Sequence, residues 1–252
     1  MREQLIKTLQ SIKLWESHKL LWLSSTSSTN DDLKQIWRNE DFSPIIEVTD
    51  LQTNGKGQYN RKWASSSIGQ CLMFSFTIDI KEYEFPISMI AGAALAIALE
   101  ELGLKTSDFW LKWPNDIWVN NKKLSGILTE STTIKNGIRS VVGIGINILP
   151  LQDDSVNATS LKENGINTTR EELLNVFFKS FDRVFNSSAS QQAYYWKKYA
   201  GQFFQRKFKV QAPNQPAYIA KAVSIKEDGR LIVKTSKEEE KEIIAASLFP
   251  IV

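Results

Sequence analysis

Two short segments carry the residues best suited to chemistry. Lys112-Trp113-Pro114-Asn115-Asp116, followed shortly by Lys123-Leu124-Ser125-Gly126-Ile127-Leu128, sets a rigid Trp-Pro turn, a carboxylate and a lysine within one strand-turn-strand unit. Upstream, Gly55-Lys56-Gly57-Gln58-Tyr59-Asn60-Arg61-Lys62-Trp63 supplies a flexible cationic loop. Gly and Pro shape the backbone at such points, while Lys, Arg and Asp offer phosphate and carboxylate chemistry. Together they predict a site that handles an anion. Lys122 and Lys123 are neighbours in a strand, so they point to opposite faces and only one can enter a pocket. Each feature also has a plainer reading: an edge-strand lysine, an ordinary surface turn, a carboxylate that closes a Pro turn. The glycine loop is not a Walker loop, because Gly-Lys-Ser/Thr is missing.

Alternating strands and helices must position these residues. Strands are predicted at Leu20–Leu23, Ile45–Val48, Leu72–Ile80, Phe109–Lys112, Ile117–Val119, Leu124–Glu130 and Ile138–Ile148, with a tight hairpin at Asn120-Asn121. Ser28-Thr29-Asn30-Asp31 reads as a helix start. Pro86 opens a second helix ending near Gly103, with Ile87, Ile90, Ala91, Ala94, Leu95 and Ala98 on one face. Further helices follow Thr168-Thr169 and span Gln191–Tyr199. From about Gln205 short strands take over, with turns at Pro213-Asn214 and Asp228-Gly229, as in a small β-barrel. This order predicts an α+β fold: a mixed sheet backed by helices over residues 1–203, with residues 1–19 as an extension, then an all-β unit over 204–252.

The chain's 252 residues leave room for a sizeable core. A net charge of +3 without a dense basic run argues against a nucleic-acid tract. Cys71 is the one cysteine and lies in an apolar run, so no intramolecular disulfide can form, which fits a reducing, cytoplasmic setting. No apolar signal core follows Met1, and no segment is long enough to span a membrane. The single histidine, His18, falls outside every motif and is expected at the surface or an edge.

The order Ser28-Thr29-Asn30, the Gly55–Trp63 loop, KWPND, KLSGIL and Gly143-Ile144-Gly145-Ile146-Asn147 resembles the biotin protein ligases, also called biotin–[acetyl-CoA-carboxylase] ligases. The likeness runs from about Leu21 to the C-terminus, and KWPND with KLSGIL at its spacing is its most specific part. It implies a class II synthetase-like catalytic domain joined to an SH3-like C-terminal domain. It also implies that biotin and ATP, with Mg²⁺, form biotinyl-5′-AMP, and that biotin then passes to a lysine of a biotin carboxyl carrier protein. By the same resemblance, Lys123 and Asp116 are catalytic. Ser28, Thr29, Asn30, Gln52, Lys56, Gly57, Gln58, Lys123 and Gly126 contact biotin. Lys56, Gln58, Arg61, Trp63 and Asn147 contact the nucleotide or adenylate. The metal ligands are not identified.

The loop departs from the family's common Gly-Arg-Gly-Arg-x-Gly-Arg pattern: Lys56 and Gln58 replace arginines, and Asn60 replaces a glycine. Asn tolerates left-handed backbone geometry, so the turn can survive. Lysine does not reproduce a bidentate arginine clamp and glutamine carries no charge, so these departures bear on adenylate retention. Many members carry an N-terminal DNA-binding winged helix; here the Ser-Thr-Asn triplet comes so early that about one helix can precede it, and specific DNA binding is not expected. The sequence is compatible with a homodimer. A lipoate ligase or octanoyl/lipoyl transferase and a non-catalytic biotin sensor are the competing readings.

Overall fold

The computed structural model describes residues 1–251 apart from 38–42, 64–66, 83, 152–156 and 214, and the side chains of Asn60 and Gln205. Seven strands form one sheet: β1 (Lys19–Leu23), β2 (Ile45–Thr49), β3 (Cys71–Ile80), β4 (Phe109–Lys112), β5 (Asp116–Val119), β6 (Lys122–Ile134) and β7 (Gly137–Asn147). Their spatial order is β1-β2-β3-β7-β6-β5-β4, parallel between β1 and β2 and antiparallel elsewhere. The helices are α1 (Arg2–Ser11), α2 (Thr29–Ile36), α3 (Ile87–Glu101), α4 (Arg170–Phe185) and α5 (Ala189–Tyr199). A second, antiparallel sheet contains β8 (Lys207–Gln211), β9 (Tyr218–Ile225), β10 (Leu231–Thr235), β11 (Glu240–Ile243) and β12 (Ser247–Pro250), in the order β11-β10-β9-β8-β12. The fold is thus the mixed sheet with helices and small all-β unit that the sequence predicts.

Local chemistry explains the elements. Ser28 accepts from the Asp31 amide to start α2, and Thr169 accepts from the Glu172 amide to start α4. Ser188 and Gln191 form a reciprocal capping box on α5. Asn120 and Asn121 both adopt positive φ, at 46° and 68°, as a two-residue hairpin between β5 and β6 requires. In the Asp228-Gly229 turn, the Gly229 amide donates to Lys226 O and its φ is 80°. Asn214, expected in the preceding turn, lies outside the described residues.

Helix α3 differs from its expected one-sided burial. Residues on every side of it are buried, Ala93, Ala96, Ile97 and Leu99 included, because the sheet covers one side while α4 and α5 cover the other. His18 is also more enclosed than expected. Its Nε2 lies 2.9 Å from Thr77 O, its ring meets Trp15 edge-on, and Nδ1 is buried without a partner. Burial lowers its pKa, against the weaker upward pull of Thr77 and Asp79.

Candidate active site

The β4–β5 hairpin builds the charged end of the site. Lys112 and Asp116 are direct cross-strand partners flanking Trp113-Pro114-Asn115, with a cis Trp113–Pro114 bond. Opposite them, the β5–β6 register shifts between Ile117 and Trp118, so Leu124 bulges beside Lys123. Lys123 Nζ lies 2.7 Å from Asp116 Oδ1, and Lys112 Nζ lies 3.4 Å from Oδ2. Lys122 is exposed on the other face. Burial opposes charge on Asp116, but the Lys123 and Lys112 ammoniums outweigh it and hold the carboxyl below its ordinary pKa. Burial lowers the pKa of Lys112, Asp116 opposes that shift, and the like charge of Lys123 adds to it.

A neutral polar cluster forms the other end. Thr29 N donates to Gln52 Oε1 at 2.9 Å, and Thr29 Oγ1 lies 2.6 Å from Ser75 Oγ. Ser75 donates to Asn30 Oδ1 at 2.7 Å, while Asn30 Nδ2 donates to Glu130 Oε2 at 3.0 Å. Ser28, Thr29 and Asn30 are all buried, so the amide and hydroxyl groups are held in fixed orientations. Phe74, Ile127, Leu128 and Ile144 line the space between the two ends.

The glycine loop closes on itself through Gly57 N to Arg61 O at 2.7 Å and Trp63 N to Gly55 O at 2.9 Å. Tyr59, not Asn60, takes the left-handed conformation, with φ 56° and ψ 42°. Lys56 Nζ pairs with Asp31 Oδ2 at 2.5 Å and Arg61 donates to Ser247 Oγ at 3.2 Å, so the loop is tied to α2 on one side and to β12 on the other. Burial opposes the Asp31 charge, yet Lys56 and Lys34 hold its carboxyl below the ordinary value. Trp63 packs over Gly145 and Gly126, its Nε1 buried without a partner, and Lys123 Nζ sits 5.7 Å from its ring centre.

These pieces enclose a cavity of about 260 Å³. Ser28, Thr29, Asn30, Gln52, Lys56, Gly57, Gln58, Arg61, Trp63, Asp116, Lys123 and Gly126 all line it. Asn147 does not. It is buried beneath, donating to Thr159 O at 3.0 Å, where it fixes the segment Asn157–Thr159 beside the Lys123 backbone. Cys71 Sγ lies 3.5 Å from Asn147 Oδ1, and burial pushes its thiol up to about 12.

Sequence reasoning missed Lys112, Ser75 and the segment Ala246–Leu248, which leads into β12, as lining or supporting groups. Ser75 had a signal, as one of two buried hydroxyls, with Thr77, in a mostly apolar strand. Nothing local marks Ala246–Leu248. Among the described residues no group of three His, Cys, Asp or Glu could hold a metal. Asp116 is the one carboxylate among the described lining residues and is already bound by two ammoniums. The protein groups therefore do not fit a magnesium held by the chain itself.

Residues 22–147 match the Biotin/lipoate A/B protein ligase family. The chain belongs to that family. It is 30% identical over 244 residues to the bifunctional ligase/repressor BirA of Bacillus spizizenii, which covers 91% of this chain and 73% of that protein. It is 31% identical over 180 residues to biotin–protein ligase 2 of Arabidopsis thaliana, matching 66% of this chain but only 53% of the plant protein, about half its length. Among solved structures, the biotin protein ligase from Aquifex aeolicus in complex with biotin and ATP superposes with a TM-score of 0.74 at 28% identity, covering 92% of this chain and 99% of the other.

Proposed function

We propose that the protein is a biotin–protein ligase that joins biotin to ATP as biotinyl-5′-AMP and passes biotin to a lysine of a carboxylase carrier protein. The observation that carries this reading is one cavity with a neutral hydrogen-bonding end at Thr29, Asn30 and Gln52 and a cationic end at Lys123. A ureido ring presents donors and an acceptor that suit the first end, and the apolar middle suits a hydrocarbon chain. The carboxylate at the end of that chain then reaches Lys123.

Carboxylate and α-phosphate repel each other. The Lys123 ammonium, fixed before reaction, offsets the negative charge that accumulates as the carboxylate oxygen bonds phosphorus and pyrophosphate leaves. No covalent protein nucleophile is needed. Transfer follows when a carrier amine attacks the anhydride carbonyl and AMP departs, a step governed by positioning. Trp63 and Arg61, from the loop over the cavity, cover the adenylate in this reading.

We place the junction between the catalytic and C-terminal units at residues 203–204, where buried Phe203 packs against Trp110 and Trp196 on one side and Phe208 on the other. The deciding measurement is ATP–pyrophosphate exchange with biotin, lipoate or octanoate as the acid. Exchange with biotin is expected. Exchange with lipoate or octanoate alone would move the assignment to the lipoate branch of the family, and binding of biotin without exchange would make the protein a sensor.

A further inference from the structure

Lys112 and Lys123 hold the same carboxylate in different ways. Lys112 faces Asp116 across the β4–β5 hairpin, so backbone register fixes their separation, and their side chains are only 9% and 11% exposed. Lys123 enters from β6 beside a bulge, and its side chain is 33% exposed toward the cavity. One ammonium is fixed and dry; the other stands at the substrate's position. A buried carboxylate stripped of its sole cation either recaptures it or takes up a proton.

We propose that Lys112 is a positioning residue, a standing counter-ion for Asp116 that allows Lys123 to leave the carboxylate and turn to the reacting anions. The inference rests on the adenylation reading above. Asp116 binds both ammoniums, Lys123 at 2.7 Å and Lys112 at 3.4 Å. When biotin and ATP arrive, Lys123 moves to them and Asp116 stays ionised on Lys112. The charged groups around this carboxylate are Lys112 from β4, Lys123 from β6 and, acting on Lys112 from the glycine loop, the Arg61 guanidinium.

The test is biotin-dependent pyrophosphate exchange across pH for the native protein, Lys112→Met, Lys112→Gln and Lys112→Arg. The native profile should be level through neutrality. In the two uncharged variants, release of Lys123 requires a proton on Asp116, so kcat should fall as pH rises, by up to about tenfold per pH unit above the pKa of that carboxyl, with KM little changed. Lys112→Arg should restore the level profile. Variant profiles parallel to the native one, or a uniform loss that arginine does not rescue, would overturn the role.

Should the uncharged variants not fold, ¹³C NMR of the native protein decides. The Asp116 carboxyl resonance, identified by its loss in Asp116→Asn, should stay at its ionised position when biotin and a non-hydrolysable ATP analogue bind. Its protonation on binding would overturn the proposal. Absence of exchange in the native protein at every pH is a different failure, and would remove the adenylation reading together with this role.

Discussion

Asn30 rests on the bare backbone of Gly143: a Cβ at that glycine would lie 1.9 Å from Asn30 Oδ1 and 3.2 Å from Ser75 Oγ. The first glycine of the Gly143-Ile144-Gly145 run therefore makes room for the polar end of the cavity. Gly145 does the same for the loop, since a Cβ there would meet the Trp63 ring at 2.4 Å. Gly143→Ala should displace Asn30 and raise KM for biotin by about tenfold or more, as loss of a buried hydrogen-bonding set does. Gly145→Ala should act through the Trp63 loop instead. Separate biotin and ATP titrations of both variants check this, and a native biotin KM in Gly143→Ala would contradict it.

Lys123→Ala should slow adenylation by about a hundredfold or more, the usual consequence of removing a preorganised charge. Lys122→Ala should be nearly silent, because that side chain is exposed on the opposite face. Equal losses in pyrophosphate exchange would show that the pair has been assigned wrongly.

The loop's grip on the adenylate should be adjustable from both sides. Lys56 is committed to Asp31 at 2.5 Å, and Gln58 lines the cavity without charge. Gln58→Arg is expected to slow release of biotinyl-5′-AMP into solution by supplying a bidentate cation. Asp31→Asn, which frees the Lys56 end of the loop, is expected to hasten it. Adenylate leaked in the absence of carrier protein is the readout; unchanged leakage in both variants would refute the idea.

Glu47 on β2 is 4% exposed, and its Oε1 has no hydrogen-bond partner. Burial, reinforced by the nearby Asp32, raises its pKa from 4.5 to about 8. Between those values the folded chain holds a proton that the unfolded chain has released. This site therefore favours folding most below pH 4.5, and its contribution is lost as pH rises toward about 8. Glu47→Gln should remove that dependence and raise the melting temperature at alkaline pH relative to the native protein. Thermal melts of both proteins at several pH values test it, the expected difference widening as pH rises.

The sequence by itself determined most of the elements, and its resemblance to the biotin protein ligases pointed to most of the lining. Period-two and helical patterns marked the strands and helices, Asn120-Asn121 marked its hairpin, and the lysines at 122 and 123 had to diverge because strand side chains alternate. Such features depend on a few neighbouring residues, so local spacing reveals them.

Tertiary structure alone decided what lies opposite what. It enclosed α3 between the sheet and two helices, although the sequence pattern implied one buried face. It put Ser75 between Thr29 and Asn30, sent Asn147 beneath the site rather than into it, and brought Ser247 from the second sheet to Arg61. It also chose Tyr59 over Asn60 for the left-handed turn. The physical reason is that these contacts join residues far apart in the chain, through sheet order and packing, and no short stretch of sequence encodes the partner.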